Sequence, residues 1–136
     1  SATNFVKPGK RPQSSMMPVI IKDSENGLTK MVIGGTGGSR IPSANFFNLL
    51  QFLFFNKPIS ESVASERLHH QLEPMVLIYQ TGFNQQILDQ LKLKGHILEE
   101  YPYEESTATM IFNDLENNVI QVKSDNRKPN SDPSGN

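Results

Sequence analysis

Gly34-Gly35-Thr36-Gly37-Gly38-Ser39 follows the apolar run Met31-Val32-Ile33 and precedes a second apolar stretch opened by Ser43. A strand that empties into glycines and is taken up by a helix leaves consecutive backbone N–H groups with no side chain over them, the arrangement that binds anions. A phosphate loop would need Gly-Lys-Ser/Thr after its glycines, and here Ser39-Arg40 follows Gly38. A dinucleotide fingerprint is met at Gly35-Thr36-Gly37, but Arg40 stands at its third glycine and no acid follows at about 20 residues. A tight turn using glycine for positive φ accounts for the run equally well on its own.

Upstream, Pro12-Gln13-Ser14-Ser15-Met16-Met17-Pro18 holds two adjacent hydroxyls between prolines. Alone, the pair is also what a backbone-bonding turn uses. With the glycines it reads as a cradle for an anion and an oxyanion.

The flanking pattern predicts an α+β domain with a largely antiparallel sheet. Residues 1–18 are rich in proline and form a loop lead-in. Val19-Ile20-Ile21 and Met31-Val32-Ile33 flank Asn26-Gly27 as a hairpin. Ser43 is expected to cap a helix running to about Phe55, apolar on most faces and packed on more than one side, and Ser60 a shorter one. Val76 to Tyr79 reads as a strand, Asn84 to Leu93 as a helix stopped by Gly95, and His96-Ile97-Leu98, Thr107 to Asn113 and Val119 to Val122 as further strands. Residues 124–136 are expected to be a solvated or subunit-clasping tail.

Composition excludes several classes. Net charge is −1, with 13 basic and 14 acidic residues in no strong blocks, so neither nucleic acid nor a membrane surface is expected as a partner. Cysteine is absent and only three His occur, at 69, 70 and 96, so no metal or thiol cofactor site is expected. The stretch from Ala44 to Phe55 is interrupted by Asn45, Asn48 and Gln51 and is shorter than the ~20 residues of a spanning helix. The chain starts Ser-Ala-Thr-Asn without Met or an apolar leader, so Ser1 reads as a cut end. His69 and His70 are assigned to packing or surface, and Arg67 is expected to be structural, with an acid of a partner subunit as its possible counter-ion. Tyr101, Tyr103 and the acids Glu99, Glu100, Glu104 and Glu105 read as an exposed strand edge or loop.

Five motifs in order carry a resemblance. They are Asn4-Phe5-Val6-Lys7-Pro8-Gly9-Lys10-Arg11-Pro12, the serine run, the glycine run, Arg67-Leu68-His69-His70-Gln71-Leu72-Glu73-Pro74 and Ser124-Asp125-Asn126-Arg127-Lys128. Together they resemble the small subunit of the γ-glutamyltransferase (glutathione hydrolase) family. The resemblance implies part of an N-terminal-nucleophile hydrolase, a four-layer αββα sandwich built from a large and a small subunit of one precursor. It implies cleavage of the γ-glutamyl amide of glutathione by an N-terminal Thr whose own amino group is the base. An acyl-enzyme then passes the γ-glutamyl group to water, an amino acid or a dipeptide. Extracellular or cell-surface placement through the large subunit comes with it.

Carried over, Ser14 and Ser15 fall on the serines that bind the substrate α-carboxylate, and Gly37 and Gly38 on the pair whose N–H groups face the oxyanion. The family's nucleophile, and the Glu and Asp that grip the substrate amine, lie upstream of the Asn-Phe motif. Only Ser1-Ala2-Thr3 precedes that motif here, and Thr3 is too near it to be the nucleophile. These residues are thus expected to be the distal part of the small-subunit domain, inactive alone. The alternative is a non-catalytic, light-chain-like binding or interaction protein.

Overall fold

The computed structural model describes residues 2–101, 106–131 and 133. Tyr103, Glu104, Glu105 and Ser1 lie outside the described residues, as do 134–136. Strands β1 (Val19–Lys22), β2 (Thr29–Thr36), β6 (Thr107–Asp114) and β7 (Val119–Ser124) form a four-stranded antiparallel sheet in the order β1-β2-β6-β7. Strands β3 (Leu68–His69), β4 (Leu77–Gln80) and β5 (Leu98–Tyr101) form a second sheet, in which β4 and β5 run parallel around helix α3 (Gln85–Leu93). Helices α1 (Ile41–Leu53) and α2 (Ile59–Ala64) follow β2 and pack on the first sheet.

The β1–β2 hairpin closes as its sequence dictates. Asp23 accepts the N–H groups of Glu25 and Asn26, Asn26 accepts that of Leu28, and Gly27 takes φ +71°. Alternation along β2 buries Met31 and Ile33, which join Val63 and Met110 in the core under Leu49 and Phe52 of α1. Each such side chain contributes roughly 1.5–3 kcal/mol by leaving water. Phe52 and Phe112 meet with ring centroids 4.9 Å apart. On the opposite face, Ile20, Val32, Ile111 and Val122 are register partners in one row across all four strands. No helix of the described residues is long and apolar enough to cross a membrane.

Several expectations are corrected. Helix α1 starts at Ile41, not at a Ser43 cap, because Pro42 fits its first turn; Ser43 sits inside and donates back to Arg40 O at 3.0 Å. Helix α1 is packed on more than one side, as expected, since it meets the sheet, α2 and β3, although Phe46 and Leu53 are exposed. Pro58, not Ser60, holds the cap position of α2. The strand expected at His96 begins at Leu98, since His96 N–H still bonds Leu91 O behind Gly95. The segment after Ser124 does not begin as a solvated tail, for Asp125 is buried.

Candidate functional site

The two runs singled out by sequence emerge at one end of the first sheet. Val19 pairs with Ile33 in antiparallel register, so the residues before Val19 run off β1 at the end of the sheet toward which Gly34 onward continues. Strand β2 carries Gly34 and Gly35 in the ladder opposite Thr109 and Ala108 and ends at Thr36. Gly37 (φ +126°) and Gly38 (φ +59°) then turn the chain into a short 3-10 helix, closed by Arg40 N–H on Gly37 O at 3.1 Å. No described residue stands within 4 Å of where a Gly38 Cβ would lie, so positive φ is what calls for glycine there.

The N–H groups of Gly37 and Gly38 have no acceptor among the described residues. Two adjacent donors at the head of a helix can meet a developing negative charge without rearrangement. In the neighbouring loop Ser14 and Ser15 are exposed, and Ser14 Oγ accepts Met16 N–H at 3.1 Å, which leaves its own proton to donate.

Asn45, fully buried on α1, was not singled out by the sequence reading, although as an amide interrupting an apolar helix it carried the signal. Its Nδ2 donates to Met17 O at 2.7 Å. Arg40 lies over the Tyr101 ring, 3.6 Å from its centre, and lines a small cavity with Ser43, His69 and Ser106. His69 is buried between Ser43 Oγ at 2.7 Å and Gln71 Oε1 at 3.0 Å, which makes it packing, as expected. His70 is half-buried beside the His96 ring. Tyr101, Glu99 and Glu100 lie on β5 at the edge of the second sheet.

Arg67 finds its acid within this chain, which corrects the partner-subunit expectation. Its Nη2 donates to Asp125 Oδ2 at 2.5 Å and to Val63 O at 3.1 Å, and its Nη1 to Ser106 O at 2.8 Å. Asp125 also accepts Ala108 N–H at 2.9 Å and Arg127 Nη1 at 2.9 Å, while Arg127 Nη2 reaches Ser65 O and Gln80 Oε1. Burial alone would raise the Asp125 pKa, but the Arg67 charge and the Arg127 N–H and guanidinium outweigh it and hold the carboxyl below 3.8. Among the described residues no cluster of His, Asp and Glu is suited to a metal.

The gamma-glutamyltranspeptidase family model matches residues 1–133. Glutathione hydrolase proenzyme 1 of Schizosaccharomyces pombe is 39% identical over 132 residues, which cover 94% of this chain and 20% of that protein. A solved Helicobacter pylori gamma-glutamyltranspeptidase mutant matches with a TM-score of 0.80 at 28% identity, over 94% of this chain and 69% of that one. Gamma-glutamyltranspeptidase from Pseudomonas nitroreducens complexed with L-DON matches with a TM-score of 0.80 at 30% identity, over 98% of this chain and 69% of that one. The α+β architecture is therefore part of the N-terminal-nucleophile hydrolase sandwich expected from the motifs. Matched over residues 1–133 in sequence and over nearly its whole length in space, the chain belongs to the gamma-glutamyltranspeptidase family.

Proposed function

We propose that these residues serve an enzyme that takes the γ-glutamyl group from glutathione and other γ-glutamyl compounds and passes it to water, an amino acid or a dipeptide. The observation that carries this reading is the pair of N–H groups at Gly37 and Gly38, unengaged among the described residues and set at the sheet end where the Ser14-Ser15 loop also emerges. The serine hydroxyls donate to the substrate α-carboxylate, where hydrogen bonds to a charged group contribute about 1.5–3 kcal/mol. The glycine N–H groups meet the oxygen that becomes negative as the γ-carbonyl is attacked, first by the nucleophile and again when the acyl-enzyme is released.

On this reading residues 1–136 are the distal part of the small-subunit domain, and the Thr nucleophile is supplied from upstream. The large subunit of the same precursor completes the sandwich; the apolar row Ile20, Val32, Ile111 and Val122 supports a covered face. The large subunit also carries whatever signal or anchor places the enzyme outside the cell. No cofactor enters the chemistry.

The test is kinetic, in the full-length enzyme with glutathione as donor. Ser14→Ala should raise KM, and Gly38→Val should lower kcat by about 10²–10³, the cost of a misplaced oxyanion donor. Unchanged kinetics in both variants would sink the site assignment. Residues 1–136 alone should release no glutamate; release would show that the nucleophile lies among them. An inactive full-length protein would favour the light-chain-like binding role.

A further inference from the structure

We propose that Asn45 is a positioning residue, holding the Ser14-Ser15 loop at its working distance from the Gly37-Gly38 turn. The inference rests on the site reading above. Among the described residues, the hydrogen bonds made by residues 12–18 stay within the lead-in, as in Gln13 N–H to Asn4 Oδ1, with one exception. That exception is Met17 O, which accepts Asn45 Nδ2 at 2.7 Å. The other edge of Asn45 faces the glycine arm: its Oδ1 lies 3.2 Å from where a Gly35 Cβ would stand and has no partner among the described residues. Met17 is two residues after Ser15, and Gly35 two residues before Gly37. A fully buried amide on α1 thus bonds one arm and lies beside the other, close to the groups that bind.

The two arms depend on it unequally. The glycine arm is anchored by the β2–β6 ladder through Thr36 and Thr107. The serine arm, exposed up to Met16, joins the β1–β2 ladder only at Val19, and the amide at Met17 holds it short of that ladder. Loss of the Nδ2 donor should therefore weaken substrate capture while leaving oxyanion stabilisation in place.

Asn45→Asp keeps the shape and replaces the donor by a titrating group. A neutral carboxylic acid can still donate to Met17 O, whereas a carboxylate repels it, and burial favours the neutral form. Ionisable side chains on the elements packed against α1 are engaged or exposed: Lys30 with Asp23, His69 with Ser43 and Gln71, Asp114 with Asn117, Arg40 over Tyr101, and Glu61 in solvent.

The experiment uses the full-length enzyme and glutathione, with Asn45→Asp, Asn45→Leu and Ser14→Ala. The KM of Asn45→Asp relative to wild type should climb about tenfold between about pH 5 and about pH 9, with the kcat ratio within about threefold. Asn45→Leu, if it folds, should be raised at every pH. Amide hydrogen exchange of residues 12–18 in Asn45→Asp at the high-pH end should quicken about tenfold against wild type at the same pH. A KM ratio flat in pH, or a change confined to kcat, overturns the inference while Ser14→Ala with raised KM keeps the site reading. Unchanged KM in Ser14→Ala removes the serine reading, and quickened exchange without a KM change then reduces Asn45 to a structural tether and overturns positioning. Unchanged exchange overturns it in every case.

Discussion

At Gly35 an added Cβ would stand 2.4 Å from the Thr107 carbonyl oxygen, whereas at Gly38 it would meet open space but at φ +59°. These neighbouring glycines are needed for different reasons, one steric and one conformational. Gly35→Ala should lower stability by about 1–3 kcal/mol, because a ladder carbonyl must move, and should displace Asn45 with it. Gly38→Ala should lose only about 1–2 kcal/mol of stability, to backbone strain, and leave β2 intact. Urea unfolding of both variants checks the contrast; equal effects with an undisturbed β2–β6 ladder would contradict it. The glycines were legible in the sequence as a turn of special backbone, but which of them is crowded was not, since Thr107 is brought to Gly35 only by strand pairing.

Among the elements, α3 was the most legible because its start and stop are both local. Asn84 Oδ1 accepts the N–H groups of Gln86 and Ile87, and Gly95 takes φ +91° just beyond the helix. Asn84→Ala should therefore destabilise the fold by about 1 kcal/mol, read as a lowered melting temperature, while Asn84→Asp should stay near wild type. Strand β3 was illegible, since two residues, Leu68 and His69, show no period and acquire strand geometry only against Tyr79 and Ile78. The start of α1 was misplaced for a related reason: Ser43 has a capping side chain, but Pro42 ahead of it already satisfies the first turn.

For the molecule as a whole, Asp125 joins parts far apart in the chain. Through Arg67 and Arg127 it links the end of α2, the start of β6 and the second sheet at Gln80. Asp125→Ala should destabilise by about 3 kcal/mol, because Arg67 would be left buried without its counter-charge. The pH dependence follows in sign. The folded pKa lies below 3.8, so the contribution of Asp125 is complete above that ordinary value and is lost as pH falls through the depressed one. Asp23 and Asp114 are also depressed, by Lys30 and by Asn117, and share the same acid window. Denaturation midpoints of wild type should be level near neutrality and fall below about pH 4, with a shallower fall in Asp125→Asn. An identical slope in the variant would contradict the assignment.

The amino-acid sequence alone determined the α+β class, the hairpin, helix α3, the family and the two runs offered as a binding cradle. Each of these depends on a local pattern: alternation, caps, positive-φ glycines and ordered motifs spread from residue 4 to residue 128. Tertiary structure alone decided that Asn45 ties the serine loop to α1, that Arg67 meets Asp125 inside the chain, and that Gly35 has no room for a side chain. The physical reason is common to all three. A buried amide, a buried ion pair and a close backbone approach are relations between residues 10 to 72 positions apart. Such relations exist only once burial has removed water as the competing partner.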